Sequence, residues 1–357
     1  MNIESFLRDA VEKKASDIYI MVGKPVTFKT NGYLLEWNDE TLTPDKTEEI
    51  VRGIYKLAAD RDFSRLANGD DDFAIVIPGV SRFRVNMYRQ SLSYASVIRT
   101  IPVKIPDPEK INIPETIIKL ADMARGIILF TGTTGSGKTT SLACLIDKIN
   151  STRQEHIVTI EDPIEYQHVK KQSLISQREI DTDTESFMSA LRAAMRQAPD
   201  VILVGEMRDP ETISAAITAA ETGHLVISTL HTIGAAPTVD RIIDSFPGDQ
   251  QNQIRSQLST TLQAVVTQQL IPTLDKKLHP AFEIMVVNSA IRNLIRENKI
   301  FQIENILQTS ASLGMVTMDM SLYELFKKKI ISRENALQYS VNQQQMHTRL
   351  GGGLKYA

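Results

Sequence analysis

Gly132-Thr133-Thr134-Gly135-Ser136-Gly137-Lys138-Thr139-Thr140 stands between an apolar run and an amphipathic one, and the organisation of the chain follows from it. It fits G-x-x-x-x-G-K-[ST], the Walker A phosphate loop, with Gly132, Gly137, Lys138 and Thr139 at the fixed positions. Glycines let the backbone turn its N–H groups inward on a phosphate. Lys138 brings a positive charge to the β and γ oxygens, and the Thr139 hydroxyl can ligate Mg²⁺. The expected ligand is nucleotide phosphate, held by residues 133 to 140.

The flanks support that reading. Upstream, Gly126-Ile127-Ile128-Leu129-Phe130 is a short apolar run rich in β-branched residues, as in a strand buried on both faces of a parallel sheet. Downstream, Ser141 to Asn150 places Leu142, Leu145, Ile146 and Ile149 on one helical face. The loop therefore falls between a strand and a helix N-terminus, where free N–H groups and the helix dipole favour an anion.

A chain of 357 residues exceeds one ordinary domain, so two are expected. Apolar content of 42% and charged content of 23% suit a soluble globular protein with ample core. A formal charge of −3 gives no support to a basic nucleic-acid surface, so no nucleic-acid partner is expected. The single cysteine, Cys144, lies on the helix after the phosphate loop and reads as a small core residue. No apolar run approaches the roughly 18 residues that span a bilayer, and the N-terminus lacks an apolar signal region. The expectation is a cytoplasmic protein with no integral membrane segment.

Residues 1–100 read as a small α+β domain. Ile3, Phe6, Leu7, Ala10 and Val11 have helical spacing, and Ile18 to Val22 is strand-like. A hairpin follows with Asn31-Gly32 as its turn, then a helix from Thr43-Pro44 to about Ala59 with Thr43 as N-cap. Strands are expected at Phe73 to Ile77, Ser81 to Tyr88 and Tyr94 to Thr100. Residues 101–114 carry Pro102, Pro106, Pro108 and Pro114, which predicts an extended, semi-rigid linker. From 115 onward helices and strands alternate: helices over 115–124, 138–150, 184–197 and 210–221, strands over 126–131, 156–160, 200–205 and 224–229. That rhythm implies a parallel sheet covered on both faces. After Pro280 the chain is expected to be mostly helical, and residues 346–357 to be a tail without fixed structure.

Hydrolysis needs more than a phosphate loop: a metal ligand and a group that activates water. Val201-Ile202-Leu203-Val204-Gly205-Glu206 is an apolar strand ending in an acid, at the end where open α/β sheets hold their ligands. Glu206 is the expected general base. Gly205 stands where the commoner pattern has a second acid, so the metal-binding carboxylate must come from elsewhere. Ile160-Glu161-Asp162-Pro163-Ile164-Glu165 also follows an apolar strand and supplies Glu165 as that candidate, with Thr139 as the other metal ligand. Gly223 to Thr232 brackets a third strand with His224 and His231, and His231 would lie at the same sheet edge, able to sense a γ-phosphate.

Together these four segments resemble the secretion-ATPase superfamily: Walker A, the Glu-Asp-Pro-x-Glu box, the Gly-Glu-Met-Arg-Asp form of Walker B and the Thr-Gly-His…Thr-Leu-His box, in that order. Within it the chain resembles the pilus retraction ATPases of the PilT and PilU type over residues 1–345, and Ala290 to Glu297 matches a short motif associated with retraction. The resemblance implies a RecA-like P-loop ATPase domain over 115–345 with a helical C-terminal part, behind a smaller PAS-like domain. It implies ATP and Mg²⁺, a homohexamer, and work on a platform protein of the inner membrane from its cytoplasmic face, with a paralogous pilus ATPase as a further partner. It also implies that Arg84 and Arg99 reach the γ-phosphate of a neighbouring subunit, and arginine fingers can contribute about 10³ to 10⁵ in rate. Strand alternation alone places Arg82 and Arg84 on one face, opposite Phe83 and Val85.

Arg192 and Arg196 are spaced i,i+4 on the 184–197 helix and suit either a subunit boundary or solvent, while Arg208 adjoins Glu206. In the 290–297 motif Ile291, Leu294 and Ile295 are expected inward, leaving Arg292, Asn293, Arg296 and Glu297 for a partner. Relatives that drive pilus extension or type II secretion usually carry a four-cysteine zinc module, which one cysteine cannot form. Arg196-Gln197-Ala198-Pro199-Asp200 is closer to the PilU form than to the PilT form.

Overall fold

The structure, a computed structural model, describes residues 2–30, 33–58, 61–101 and 104–351. It divides into two compact units, Met1–Lys104 with Glu165–Gln167, and Ile105–Ile164 with His168–Ala357.

The first unit is an antiparallel sheet with two main helices, Ile3–Glu12 and Pro44–Leu57. Its strands are β1 (Asp17–Ile20), β2 (Thr27–Thr30), β3 (Tyr33–Glu36), β4 (Asp70–Ile77), β5 (Ser81–Gln90) and β6 (Ser93–Ile101), in spatial order β3-β2-β1-β6-β5-β4. Period-two alternation sets the core: Phe83, Val85 and Met87 of β5 are buried with Phe6, Ile54 and Phe73, while Arg82 and Arg84 take the other face. The Thr43 hydroxyl accepts from Lys46 N at 3.4 Å, and Pro44 opens the helix. The expected Asn31-Gly32 turn and the helix end at Ala59 lie outside the described residues.

The second unit holds β7 (Gly126–Thr131), β8 (His156–Glu161), β9 (Leu174–Glu179), β10 (Val201–Val204), β11 (Leu225–Leu230), β12 (Leu262–Pro272) and β13 (Leu278–Val286). Their order is β13-β12-β7-β11-β10-β8-β9, parallel except for β13, which runs antiparallel to β12. β7, β10 and β11 are buried along their whole length, because helices cover both faces. Cys144 is buried on one of those faces, its thiol donating to Pro106 O at 3.3 Å, and burial pushes its pKa up to about 12.

Several expectations are corrected. The chain is mostly helical after Pro280 as expected, but only beyond Val286: Pro280 itself lies in β13, opposite Leu270 on the outermost strand, where a missing N–H costs no second ladder. The 115–124 segment is a short helix, Glu115–Ile118, continued by a 3₁₀ turn over Lys119–Asp122. The helix expected over 184–197 is Phe187–Ala194, capped by Ser186, so Arg196 lies beyond its end. The proline-rich segment is not extended throughout: Ile111 N donates to Asp107 O and Ile113 N to Pro108 O, and Ile113 is buried. Pro102 and Val103 lie outside the described residues. The expected structureless tail instead begins within a helix, Gln343–Arg349, capped by Asn342 and anchored by the fully buried Met346.

Candidate active site

Parallel pairing brings the ends of four strands level. Thr131 of β7 is registered with Leu230 of β11, and Val204 of β10 with both Ile160 of β8 and Ser228 of β11. The phosphate loop, Glu161, Glu206 and His231 therefore emerge at one carboxyl edge of the sheet, where such sheets bind ligands.

The loop is preshaped. Gly132, Gly135 and Gly137 all have positive φ, at +135°, +79° and +91°. Lys138 is buried, and its ammonium donates to Gly132 O at 2.7 Å and Thr133 O at 3.0 Å. Burial holds its pKa below the ordinary lysine value, and the charge of Glu206 opposes that shift. Ser136 Oγ is buried inside the loop without a hydrogen-bond partner, a polar atom left for a ligand.

Glu206 follows β10 by way of Gly205, whose N–H donates to Ile160 O at 2.8 Å. A Cβ on Gly205 would meet Ile160 O at 3.1 Å and the Phe187 ring at 3.3 Å, so a side chain there would be tightly packed and would need its neighbours to shift. Thr229 Oγ1 donates to Gly205 O at 2.6 Å and holds the turn. The Glu206 carboxylate, 17% exposed, accepts from Arg208 Nε at 2.8 Å, and His231 Nε2 lies 3.4 Å from the same oxygen. An ionised carboxylate flanked by a cation and an imidazole can orient water and receive its proton.

A model of the type II/IV secretion system protein family matches residues 1–350. The chain belongs to that family. The type IV pilus retraction ATPase PilT of Pseudomonas aeruginosa is 45% identical over 336 residues, 94% of this chain and 97% of that one. The type IV pilus ATPase PilU of the same organism is 40% identical over 354 residues, 98% of this chain and 92% of that one. Among solved structures, the pilus retraction motor PilT with bound ADP superposes with a TM-score of 0.90 at 42% identity, covering 97% of this chain and 98% of the other.

Other residues of this secretion-family chain sort by what they touch. Glu161 is buried and accepts from Thr159 Oγ1 at 2.6 Å and Gln177 Nε2 at 3.2 Å, an internal role. Glu179, also buried, accepts from Ile164 N at 2.9 Å and anchors the loop beyond β8. His224 Nδ1 lies 2.8 Å from Ala219 O and serves a helix end, unlike His231. Glu165 groups with the first unit and Asp162 is exposed.

In the first unit Arg84 and Arg99 are cross-strand neighbours. With Asp17, Asp72, Asn86 and Val97 they line a cleft of about 220 Å³, where Arg99 Nε donates to Asp17 Oδ1 at 3.1 Å. Arg192 is exposed on its helix. In the 290–297 motif Ile291 and Ile295 are buried, but the expectation of a free Arg292 is corrected. Its guanidinium donates to Ser259 O at 2.9 Å, Thr260 O at 2.8 Å and Gln263 Oε1 at 3.0 Å, closing the C-terminal end of the Gly248–Thr261 helix. Asn293, Arg296 and Glu297 are exposed, Glu297 paired with Lys299 at 2.8 Å.

The sequence reading passed over β12. Its Thr267 Oγ1 lies 2.7 Å from Thr131 Oγ1, and its Gln268 Oε1 accepts from Ser141 Oγ at 2.8 Å, both buried against the phosphate loop. The only sequence sign is the polar triplet Thr267-Gln268-Gln269 between Val265-Val266 and Leu270-Ile271.

Proposed function

We propose that this protein is the ATP-hydrolysing motor of type IV pilus retraction, working as a homohexamer. The observation that carries the reading is the placement of Glu206, with Arg208 and His231 against its carboxylate, level with the end of the strand that feeds the phosphate loop. Likeness over nearly the full chain to retraction ATPases supplies the biological setting.

In this mechanism ATP lies along the loop with its phosphates facing the N–H groups of residues 133–140 and the Lys138 ammonium. Water attacks the γ-phosphorus, its proton passes to Glu206, and the bond to the β–γ bridging oxygen breaks to release ADP and phosphate. His231 reports the γ-phosphate to the loop that follows β11. Mg²⁺ is commonly bound through substrate phosphates and would arrive with the nucleotide. Thr139 would hold it there, and the ion would neutralise charge on the β and γ oxygens. Arg84 and Arg99 complete the site from an adjacent subunit, so each turnover moves one domain against the next around the ring.

The ring acts from the cytoplasmic face on the inner-membrane platform protein of the pilus, alongside a paralogous pilus ATPase. Among the described residues no helix is long and apolar enough to cross a membrane. The test is a deletion strain: the cells should remain piliated and fail to retract, with wild-type protein restoring retraction. Unpiliated cells would point to an extension motor, and stimulation of the purified ATPase by single-stranded DNA would point to a nucleic-acid translocase. The PilU-type accessory reading rests on 40% identity over 98% of the chain and on the Arg196 to Asp200 segment. Retraction in a strain with this protein as its sole retraction ATPase would exclude it.

A further inference from the structure

Gln268 is buried in β12, beside the strand that delivers the phosphate loop, and it meets that loop at both ends. At the start, a Cβ on Gly132 would lie 2.3 Å from the Gln268 carbonyl oxygen. At the finish, a Cβ on Gly137 would lie 2.7 Å from Gln268 Nε2. One helical turn further, Ser141 Oγ donates to Gln268 Oε1 at 2.8 Å, which fixes the amide with its oxygen towards the helix and its nitrogen towards Gly137. Gly135, at the exposed crest of the loop, has nothing within 4 Å of its own Cβ position. The loop is thus open at its crest around Gly135 and closely approached at both ends by a single residue from another strand.

From these contacts we infer that Gln268 is a positioning residue for the phosphate loop, setting the spacing of its two hinges so that the N–H groups between them converge on phosphate. This rests on the reading of residues 132–140 as the nucleotide site. Neither Gln268 nor Ser141 reaches the water-activating cluster around Glu206, so their effect belongs to nucleotide affinity and not to the chemical step.

The test uses the full chain, the fluorescent nucleotide mant-ATP and steady-state hydrolysis. Gln268→Met keeps volume and length but removes both amide atoms. It should raise the mant-ATP Kd and the KM by about 5- to 30-fold, with kcat changed less than about twofold. Ser141→Ala removes only the hydrogen bond that orients the amide and should raise both by about 2- to 5-fold. Combining the two should be no worse than Gln268→Met alone, because both act through one contact. Wild-type Kd and KM in the folded variants, or a fall in kcat without a rise in KM, overturns the inference. If Gln268→Met does not fold, Ser141→Ala decides alone, by the same weaker binding or its absence. Wild-type protein that fails to bind mant-ATP would instead refute the nucleotide site itself.

Discussion

Replacing Gly132 and Gly135 separately by alanine should have very different consequences, although both lie in the phosphate loop at positive φ. At Gly135, φ is +79° and an added Cβ meets nothing within 4 Å, so alanine faces only the left-handed strain of about 1–2 kcal/mol. Expressed wholly in binding, that is about 5- to 30-fold in nucleotide affinity. At Gly132, φ is +135° and the Cβ would sit 2.3 Å from Gln268 O, about an ångström inside ordinary contact. That oxygen cannot give way easily: Gln268 is paired with Phe282 of β13, and its neighbour Thr267 with Thr131 of β7. Strain of about 1–3 kcal/mol and overpacking of similar size then add to about 3 kcal/mol or more, over a hundredfold in affinity or an equivalent loss of stability. Mant-ATP titration with thermal unfolding of each variant measures both channels. Gly132→Ala protein that binds within threefold of Gly135→Ala and melts at the same temperature would refute the argument that β12 shapes the loop.

Glu206→Gln should cut kcat by about 10² to 10⁴ while mant-ATP binding stays within a few-fold, and turnover above a tenth of wild type would remove Glu206 as the base. Its stability should barely change, because the Arg208 partner is 74% exposed and such pairs contribute about 0–1 kcal/mol. Arg292→Ala should lower stability by about 1–3 kcal/mol, since three hydrogen bonds to a helix end are lost; an unchanged melting temperature would return Arg292 to the role of a free surface contact. Cys144, buried with its thiol pushed up to about 12, should resist iodoacetamide in the native protein at pH 8 and react fully in guanidinium, so rapid native alkylation would contradict its placement.

Residues whose chemistry is local were legible in the chain. The glycines and Lys138 of the loop, the apolar runs of β7, β10 and β11, and the Thr43-Pro44 helix start all act through backbone conformation or through neighbours a few positions away. Glu206 could be named because a strand end is itself a sequence feature, and parallel register then sets such ends level. Arg292 could not be read in this way, since the carbonyls it closes lie about thirty residues earlier and nothing local distinguishes an arginine facing solvent from one facing a helix end. Strand β13 was hidden by Pro280, a breaker whose cost disappears only on an outermost strand, and being outermost is a property of the sheet. Met346 placed the start of an apparently structureless tail in a helix, Gln343–Arg349, by finding a buried place in the C-terminal cluster. Gly205 shows the division within one residue: the missing acid is visible in the chain, but the tight approach of Ile160 O and Phe187 to that position appears only once β8 and the Phe187–Ala194 helix are packed beside it. Local propensity and pattern thus specify the parts and their chemistry. Which side chains meet is decided by long-range packing, because the distance between residues across a sheet is independent of their separation along the chain.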